Sequence, residues 1–197
     1  MESPKMAVVV VACHFVGPGR VCATTLRRLG AALNLARNLG GKEQVALFVT
    51  GNVPWKLRGE RIERATLAEI MRDFINEGSF AGCDVRIVDG VETFSEARIT
   101  TKQIAEDPSL YRSFFVVSSD FYFFSGKNTW RRRAAEQWLE VNFESVSGGG
   151  IKTWFRYGAI ALIVRIAVGF GMESFLENLV TATQRKRKEG FTMDGCG

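Results

Sequence analysis

The sequence is short of the residues on which metal sites and catalytic triads depend. It contains a single histidine, His14. It contains four cysteines and no C-x-x-C pair: Cys13, Cys22, Cys83 and Cys196. A zinc site would need ligands gathered from distant parts of the chain, so we predict no metal. Separate thiols of this kind are typical of a reducing compartment, which favours a cytoplasmic protein.

The short motifs of nucleotide-binding and hydrolytic enzymes are also missing. The glycines at 17–19 lack the G-x-G-x-x-G pattern, and no Lys-Ser/Thr pair follows the glycines at 148–150 in phosphate-loop spacing. No G-x-S-x-G elbow surrounds Ser118 or Ser119, and a serine nucleophile would need His14 as its base. We therefore do not expect Ser–His catalysis.

No apolar run is long enough to span a bilayer, which takes about 20 residues. The longest candidate, residues 157–171, is shorter and carries Arg165 near its middle. A buried core helix is the favoured interpretation, and we predict no transmembrane helix. The alternative is a peripheral membrane-associated protein that uses this run and the basic residues at 185–188. Burial of Ile160, Ile163 and Val164 would remove that alternative.

Composition and charge set broad limits on what the protein binds. The chain has 197 residues with 46% hydrophobic and 24% charged residues, which suits one domain over residues 1–197. The net charge of +5 would help to attract phosphates, nucleotides or anionic surfaces, but it does not favour a nucleic-acid partner. The sequence does not predict the oligomeric state.

Short apolar runs alternate with longer amphipathic ones along the chain. Strands are predicted over residues 6–12, 44–52, 84–90, 113–119 and 143–147, and helices over 24–41, 63–78, 93–107 and 128–141. A further helical part covers about 151–188. This alternation predicts a three-layer α/β fold, with a mostly parallel sheet of about five strands and helices on both faces.

Ligands of open α/β sheets bind beyond the carboxyl ends of the strands, so the polar residues there are the candidates for a site. The second strand is followed by Thr50, Gly51 and Asn52, which offer hydrogen bonds and a close backbone approach, although taken alone they are better explained as a plain turn before Pro54. Ser118, Ser119 and Asp120 follow the fourth strand.

Two further candidates lie on helices that begin near the strand ends. Arg28, in the first turns of its helix, could reach a carboxylate or phosphate bidentately, or it could be a solvated helix residue. Thr93 and Glu96 have capping-box spacing, in which each side chain bonds the other's backbone N–H. A cap at a strand-to-helix exit also lies where ligands bind.

Taken in order, these pieces resemble the SanA/ElyC/YdcF-like family over about residues 7–146. The similar pieces are "VVVVACHFVGPG", "LRRLGAALNLARNLG", "LFVTGN", "TLAEIMRDFINEG", "VETFSEA" and "FFVVSSDFYFFSG". The resemblance implies a Rossmann-like sheet with a polar pocket at the strand exits. It also implies a nucleotide-type cofactor such as S-adenosylmethionine in some members, and a link to the cell envelope and cell-wall precursors in others.

The chain departs from the family pattern at four positions that bear on chemistry. Leu67 stands for a helix Glu, Glu96 for a turn Asn, Tyr122 for the motif His and Ser125 for the motif Arg. Tyrosine cannot replace histidine as a near-neutral acid or base, and serine cannot replace a guanidinium fork. The family chemistry would therefore lack groups that it needs.

The first hypothesis is a YdcF-like domain that binds a small anionic or nucleotide-type ligand. The ligand-binding candidates are Arg28, Thr50, Gly51, Asn52, Thr93, Ser118, Ser119 and Tyr122. If the domain is a transferase or hydrolase of envelope-related metabolism, Asp120 and Glu96 are the candidate acid–base residues. An alternative is a degenerate, non-catalytic member that binds a protein partner through the aromatic run at 121–124, provided that run is exposed.

Overall fold

The computed structural model of the protein describes residues 4–13, 15–17, 19–51, 54–57, 60–90 and 93–148, together with residues 159, 162–163, 166, 172 and 175. The strands are β1 Lys5–Val10, β2 Phe15–Gly17, β3 Arg20–Val21, β4 Val45–Val49, β5 Pro54–Leu57, β6 Glu60–Thr66, β7 Asp84–Ile87, β8 Leu110–Ser119 and β9 Glu140–Val146. The helices are α1 Ala23–Asn38, α2 Leu67–Glu77, α3 Thr93–Glu106 and α4 Asp120–Glu136.

Five strands form one parallel sheet in the order β7-β4-β1-β8-β9. β1 lies at the centre, with Val10 opposite Val49 of β4 on one side and Val117 of β8 on the other. This confirms the predicted α/β class, which is Rossmann-like in its parallel sheet and its helical layers.

The central strand is buried on both faces, as its unbroken valine run predicts. Val8 and Val10 pack with α1 and α2, in a core that includes Leu29 and Met71. The alternate residues of β1 pack on the other face, with α3 and α4 and a core that includes Trp130. The period of two along an extended strand thus divides one sequence between two cores.

The order of the strands places a topological switch point between β1 and β8. From β1 the chain moves outward through β4 to β7, and then returns across the sheet to β8 and β9. The connections that leave β1 and β8 therefore pass to opposite faces, which opens a crevice at their carboxyl ends. Arg28 on α1 and Ser119 at the end of β8 lie at this crevice.

The fourth helix begins eight residues earlier than predicted. The sequence suggested residues 128–141, but α4 starts at Asp120, directly after β8, and ends at Glu136. The residues after it belong to β9, which begins at Glu140 instead of the predicted residue 143. Strand-prone aromatics and a glycine at 126 argued locally against a helix there, and tertiary packing overrides that preference.

A capping box that the sequence did not predict opens α2. There Thr66 Oγ1 accepts the N–H of Glu69, and Glu69 Oε2 accepts the N–H of Thr66. Thr93 is the first residue of α3, and its pairing with Glu96 stays a prediction. The short ladders β2–β3 and β5–β6 were not predicted either.

Part of the predicted C-terminal helical region is described. Residues 159, 162, 163, 166 and 175 are helical, and the rest of the region at 151–188, apart from residue 172, lies outside the described residues. Ile163 is exposed, so the burial that would remove the peripheral membrane alternative is not found at this residue. Ile160 and Val164 lie outside the described part. Among the residues searched, no helix combines the length and apolarity that a bilayer crossing requires.

Candidate functional site at the ends of β1 and β8

Polar side chains hold the segment that follows β1. Thr50 Oγ1 accepts the backbone N–H of Ala12 at 3.2 Å, and Thr25 Oγ1 accepts that of Cys13 at 3.0 Å. Both threonines are fully buried. Since buried backbone donors need acceptors, these hydroxyls fix the path of the chain as it leaves the central strand.

Arg28 joins the exits of β1 and β8. Its Nη1 donates to the carbonyl oxygens of Val11 at 2.8 Å and Ala12 at 3.1 Å, and its Nε donates to Ser119 Oγ at 3.0 Å. The side chain is 1% exposed. These acceptors are all neutral. Among the residues that the structure describes, no carboxylate pairs with Arg28 and no acceptor meets its Nη2.

Two aromatic rings contact the same guanidinium. Its carbon lies 5.7 Å from the ring centroid of Phe121 and 5.6 Å from that of Tyr122. Ring faces attract a cation through their quadrupole, more so where water is excluded. Arg28 is therefore stabilised by carbonyl dipoles, a hydroxyl and two rings, and it brings a positive charge to the switch point.

The start of α4 lies beside this charge. Ser119 is the N-cap, but its side chain makes no capping bond, because its Oγ accepts from Arg28. Asp120 Oδ1 accepts the N–H of Phe121 at 2.8 Å and so satisfies one donor of the first turn. The backbone of Gly148, just after β9, packs against Ser119, since a Cβ at this glycine would lie 3.0 Å from Ser119 Oγ.

Tyr122 is locked in a buried hydrogen-bond network. Its hydroxyl accepts from Trp130 Nε1 at 3.1 Å and also bonds the side chain of Thr93. Burial raises the pKa of this phenol well above its ordinary value. The carboxylate of Glu96 raises that pKa further, and the bonds from Thr93 and Trp130 and the charge of Arg28 oppose the rise. Tyr122 thus stays a neutral phenol across the physiological range.

A glycine makes room for this tyrosine. A Cβ at Gly126 would lie 2.7 Å from Cε1 and 2.9 Å from Cζ of the Tyr122 ring. Tyr122, Gly126 and Trp130 follow one another at four-residue spacing, so they share one face of α4. The glycine lets the tyrosine ring lie along the helix toward the tryptophan.

Glu96 is brought close to this cluster from α3. The residue is 6% exposed, and its carboxylate acts on the pKa of Tyr122. Gly90, in the exit of β7, passes so close that a Cβ there would lie 2.7 Å from Glu96 Cα. Glu96, one of the two predicted acid–base residues, therefore lies on the face of the sheet opposite α1, the helix that carries Arg28.

The predicted site residues divide into groups. Arg28, Ser119 and Tyr122 come together, with Thr93 and Glu96 joined to them through the tyrosine. The others lie at neighbouring strand ends but do not contact Arg28. Thr50 bonds the segment after β1, and Gly51 lies so close to Ala12 that a Cβ would clash with it. Ser118 faces the side of the sheet that α3 and α4 cover, and Asp120 lies in the first turn of α4. Asn52 lies outside the described residues.

Ser118 is the most unusual of the separate residues. It is fully buried, and its Oγ has no hydrogen-bond partner among the residues that the structure describes. Alternation along β8 places it with Phe114 and Val116, and not with Ser119. It is therefore turned away from Arg28, although only one residue separates it from the start of α4.

Sequence reasoning missed two residues that complete the site, Thr25 and Trp130. Thr25 lies within α1, whose N-cap is Cys22, and a threonine in the first turn of a helix gives no sequence signal that it will bond another segment. Trp130 had a usable signal, since its spacing from Tyr122 matches two helical turns. That spacing has meaning only when the helix is known to begin before Tyr122.

The aromatic run does not form the exposed surface that the interaction-module alternative required. Phe121 and Tyr122 are buried in the core, and Phe123 is partly buried and packs edge-on against Phe143 at 5.1 Å. The side chain of the fourth aromatic lies outside the described part. In the ranges that the structure describes, no group of three or more His, Cys, Asp or Glu residues is arranged to hold a metal ion.

Comparison with known proteins adds no relative to this picture. No protein-family model, no curated protein and no solved structure matches the chain.

Proposed function

We propose that this protein is a binding domain for a small anionic ligand of the nucleotide or phosphate class, held where β1 and β8 end. The observation that carries the proposal is the guanidinium of Arg28. It is buried, it bonds only neutral acceptors, and its Nη2 meets no acceptor among the described residues. A buried cation without an anion is costly, and a ligand phosphate or carboxylate would offset that cost.

The surroundings of Arg28 support an anion and not a cation as the ligand. The first turn of α4 begins at Ser119 and Asp120, and apart from the N–H of Phe121, which the Asp120 carboxylate accepts, its backbone N–H groups add partial positive charge near the guanidinium. The sheet order places both groups at the switch point, where open α/β sheets bind ligands. The resemblance to the SanA/ElyC/YdcF-like family favours S-adenosylmethionine or another nucleotide-type molecule, and a substrate from envelope metabolism.

The same geometry favours binding over histidine-type acid–base chemistry. The residue that stands for the motif histidine is Tyr122, whose hydroxyl is bonded to Trp130 and Thr93 and whose pKa is raised by burial. A neutral phenol in that state does not accept a proton near neutral pH. If the domain is a transferase or hydrolase, Asp120 and Glu96 are the residues proposed to move protons.

The test is thermal unfolding with a panel of nucleotides, S-adenosylmethionine, sugar phosphates and polyprenyl phosphates. A ligand of the folded state raises the midpoint as its concentration exceeds the dissociation constant. We compare Arg28→Lys, which keeps the charge but loses the fork, with Arg27→Lys, the neighbouring exposed arginine. The proposal predicts a shift that survives Arg27→Lys and shrinks in Arg28→Lys.

Two outcomes would count against the proposal. No shift from any member of the panel would leave Arg28 as a purely structural clamp on the β1 exit. An equal shift in both variants would place the ligand elsewhere.

A separate activity screen with Asp120→Asn and Glu96→Gln then tests catalysis, because loss of turnover with ligand binding retained identifies an acid–base role.

A further inference from the structure

Two cysteines lie where the chain leaves β1, on either side of the β2–β3 hairpin. Cys13 lies two residues before β2, and Cys22 directly follows β3 and is the N-cap of α1. Phe15 pairs with Val21 across the hairpin, so the segments that enter and leave it run side by side at its base. The fold therefore brings Cys13 and Cys22 together.

The hydroxyl of Thr25 contacts both cysteines. Its Oγ1 accepts the backbone N–H of Cys13 at 3.0 Å and lies 3.5 Å from Cys22 Sγ. The backbone N–H of Thr25 also donates to Cys22 Sγ, at 3.4 Å. A disulfide requires Cα atoms about 4–7 Å apart, so two cysteines that meet at one hydroxyl need little backbone movement to form it.

The two thiols differ in their access to solvent. Cys13 is partly exposed, whereas Cys22 is fully buried. Redox pairs combine an accessible thiol, which meets the oxidant, with a second thiol that resolves the mixed disulfide. The bond from the Thr25 N–H at the start of α1 favours Cys22 as a thiolate, which is the form that attacks. Cys83 cannot take this part, because it bonds the carbonyl of Val45 at the opposite end of the sheet.

We propose that Cys13 and Cys22 are a redox-active pair, which a low-molecular-weight disulfide such as oxidised glutathione converts into an intramolecular disulfide. The Cys13 thiolate attacks one sulfur of the oxidant, forms a mixed disulfide and releases one glutathione thiolate. The Cys22 thiolate then attacks the Cys13 sulfur and releases the second glutathione. The protein loses two electrons and two protons, and the oxidant takes them up as it becomes two thiols.

The new bond would tie the exit of β1 to the start of α1. Arg28 on α1 already binds the carbonyl oxygens of Val11 and Ala12, which directly precede Cys13. Oxidation therefore acts on the segment that holds the charge at the switch point. The proposal concerns the two thiols alone, and it holds whether or not the strand ends bind an anion.

The test is incubation of the folded full chain with oxidised glutathione, followed by alkylation of the remaining thiols and peptide mass spectrometry. We expect a peptide pair joined between Cys13 and Cys22, in the wild type and also in Cys196→Ser. Cys22→Ser should stop at a mixed disulfide on Cys13, and Cys13→Ser should leave the buried Cys22 unmodified. Cys83→Ala is the matched control, and it should form the bridge as the wild type does.

Three results would overturn the proposal. The first is a wild-type chain in which Cys13 stays a thiol or stops at the mixed disulfide. The second is a bridge that forms only in urea, which would show that the folded chain holds the two sulfurs apart. The third is equal modification of Cys22 in the wild type and in Cys13→Ser. Thermal unfolding confirms that each variant is folded, as expected at Cys22, since serine is a favoured N-cap residue.

Discussion

Replacing glycine by alanine should have opposite effects in two helices of this protein. At Gly30 in α1 the residue is exposed and no atom lies within 4 Å of the added methyl group. Gly30→Ala should therefore stabilise the fold by about 0.5–1 kcal/mol through helix propensity alone. At Gly126 in α4 the methyl group would lie 2.7 Å and 2.9 Å from two ring carbons of Tyr122.

The ring of Tyr122 has little freedom to move aside. Its hydroxyl bonds Trp130 and Thr93, and its face lies 5.6 Å from the Arg28 guanidinium carbon. Overpacking of this kind costs about 1–3 kcal/mol, which exceeds or cancels the propensity gain. We expect the two variants to differ by about 1–3 kcal/mol, or roughly 2–4 °C in midpoint for each kcal/mol.

Urea unfolding with a common slope measures this difference. The double variant Gly126→Ala/Tyr122→Leu, compared with Tyr122→Leu, provides the control, because leucine lacks the ring carbons that the methyl group would meet. In that background Gly126→Ala should stabilise as Gly30→Ala does. If Gly126→Ala alone stabilises the protein as much as Gly30→Ala, the Tyr122 ring is not held where the structure places it, and the site described around it is wrong.

Three further predictions concern single contacts. Thr66→Ala should lower the free energy of unfolding by about 0.5–2 kcal/mol by removing the capping box of α2, whereas Thr66→Ser should retain most of it, as urea unfolding of both will show. Gly51→Ala should destabilise the protein more than Gly41→Ala in the same assay. Both positions have left-handed φ angles, +85° and +83°, but only at Gly51 would the methyl group meet Ala12 Cβ, at 2.6 Å. Equal losses of stability in the two variants would contradict this contact. The pKa of Asp107 is lowered from 3.8 to about 2, first by the hydrogen bond from Ser109 and further by Arg86. The ionised Asp107 carboxylate therefore stabilises the folded state above about pH 4, and this contribution is lost as the pH falls toward 2. In Asp107→Asn the thermal unfolding midpoint should depend less on pH over that range.

Several features of the fold follow from local sequence and were predicted from it. The valine run of β1 and the apolar run of β4 predict strands buried on both faces, and the structure places them at the centre of a parallel sheet. Leu29 and Ala36 lie on the buried side of α1, as their spacing indicates. Leu26 matches the same spacing and is exposed, because a periodic pattern does not state where the neighbouring elements end.

The start of α4 shows where local preference fails. The stretch "SSDFYFFSG" contains aromatics with high strand propensity and a glycine that disfavours helix. The structure forms a helix there because Phe121, Tyr122 and Trp130 bury their rings against the sheet and the glycine makes room for one of them. Whether this stretch forms a helix or a strand is therefore decided by the sheet surface on which its rings pack, and that surface is made by other parts of the chain.

The sequence by itself determined the alternation of strands and helices, the absence of a long apolar span, and the polar residues that end each strand, since these depend on neighbours within a few positions. Only the tertiary structure decided which of those polar residues meet. Arg28 and Ser119 are 91 residues apart in the chain, yet Arg28 Nε lies 3.0 Å from Ser119 Oγ. Thr50, at the end of β4, accepts a hydrogen bond from Ala12, which follows β1. Such contacts depend on strand order and on which face each side chain takes, and both are set by the packing of the whole sheet.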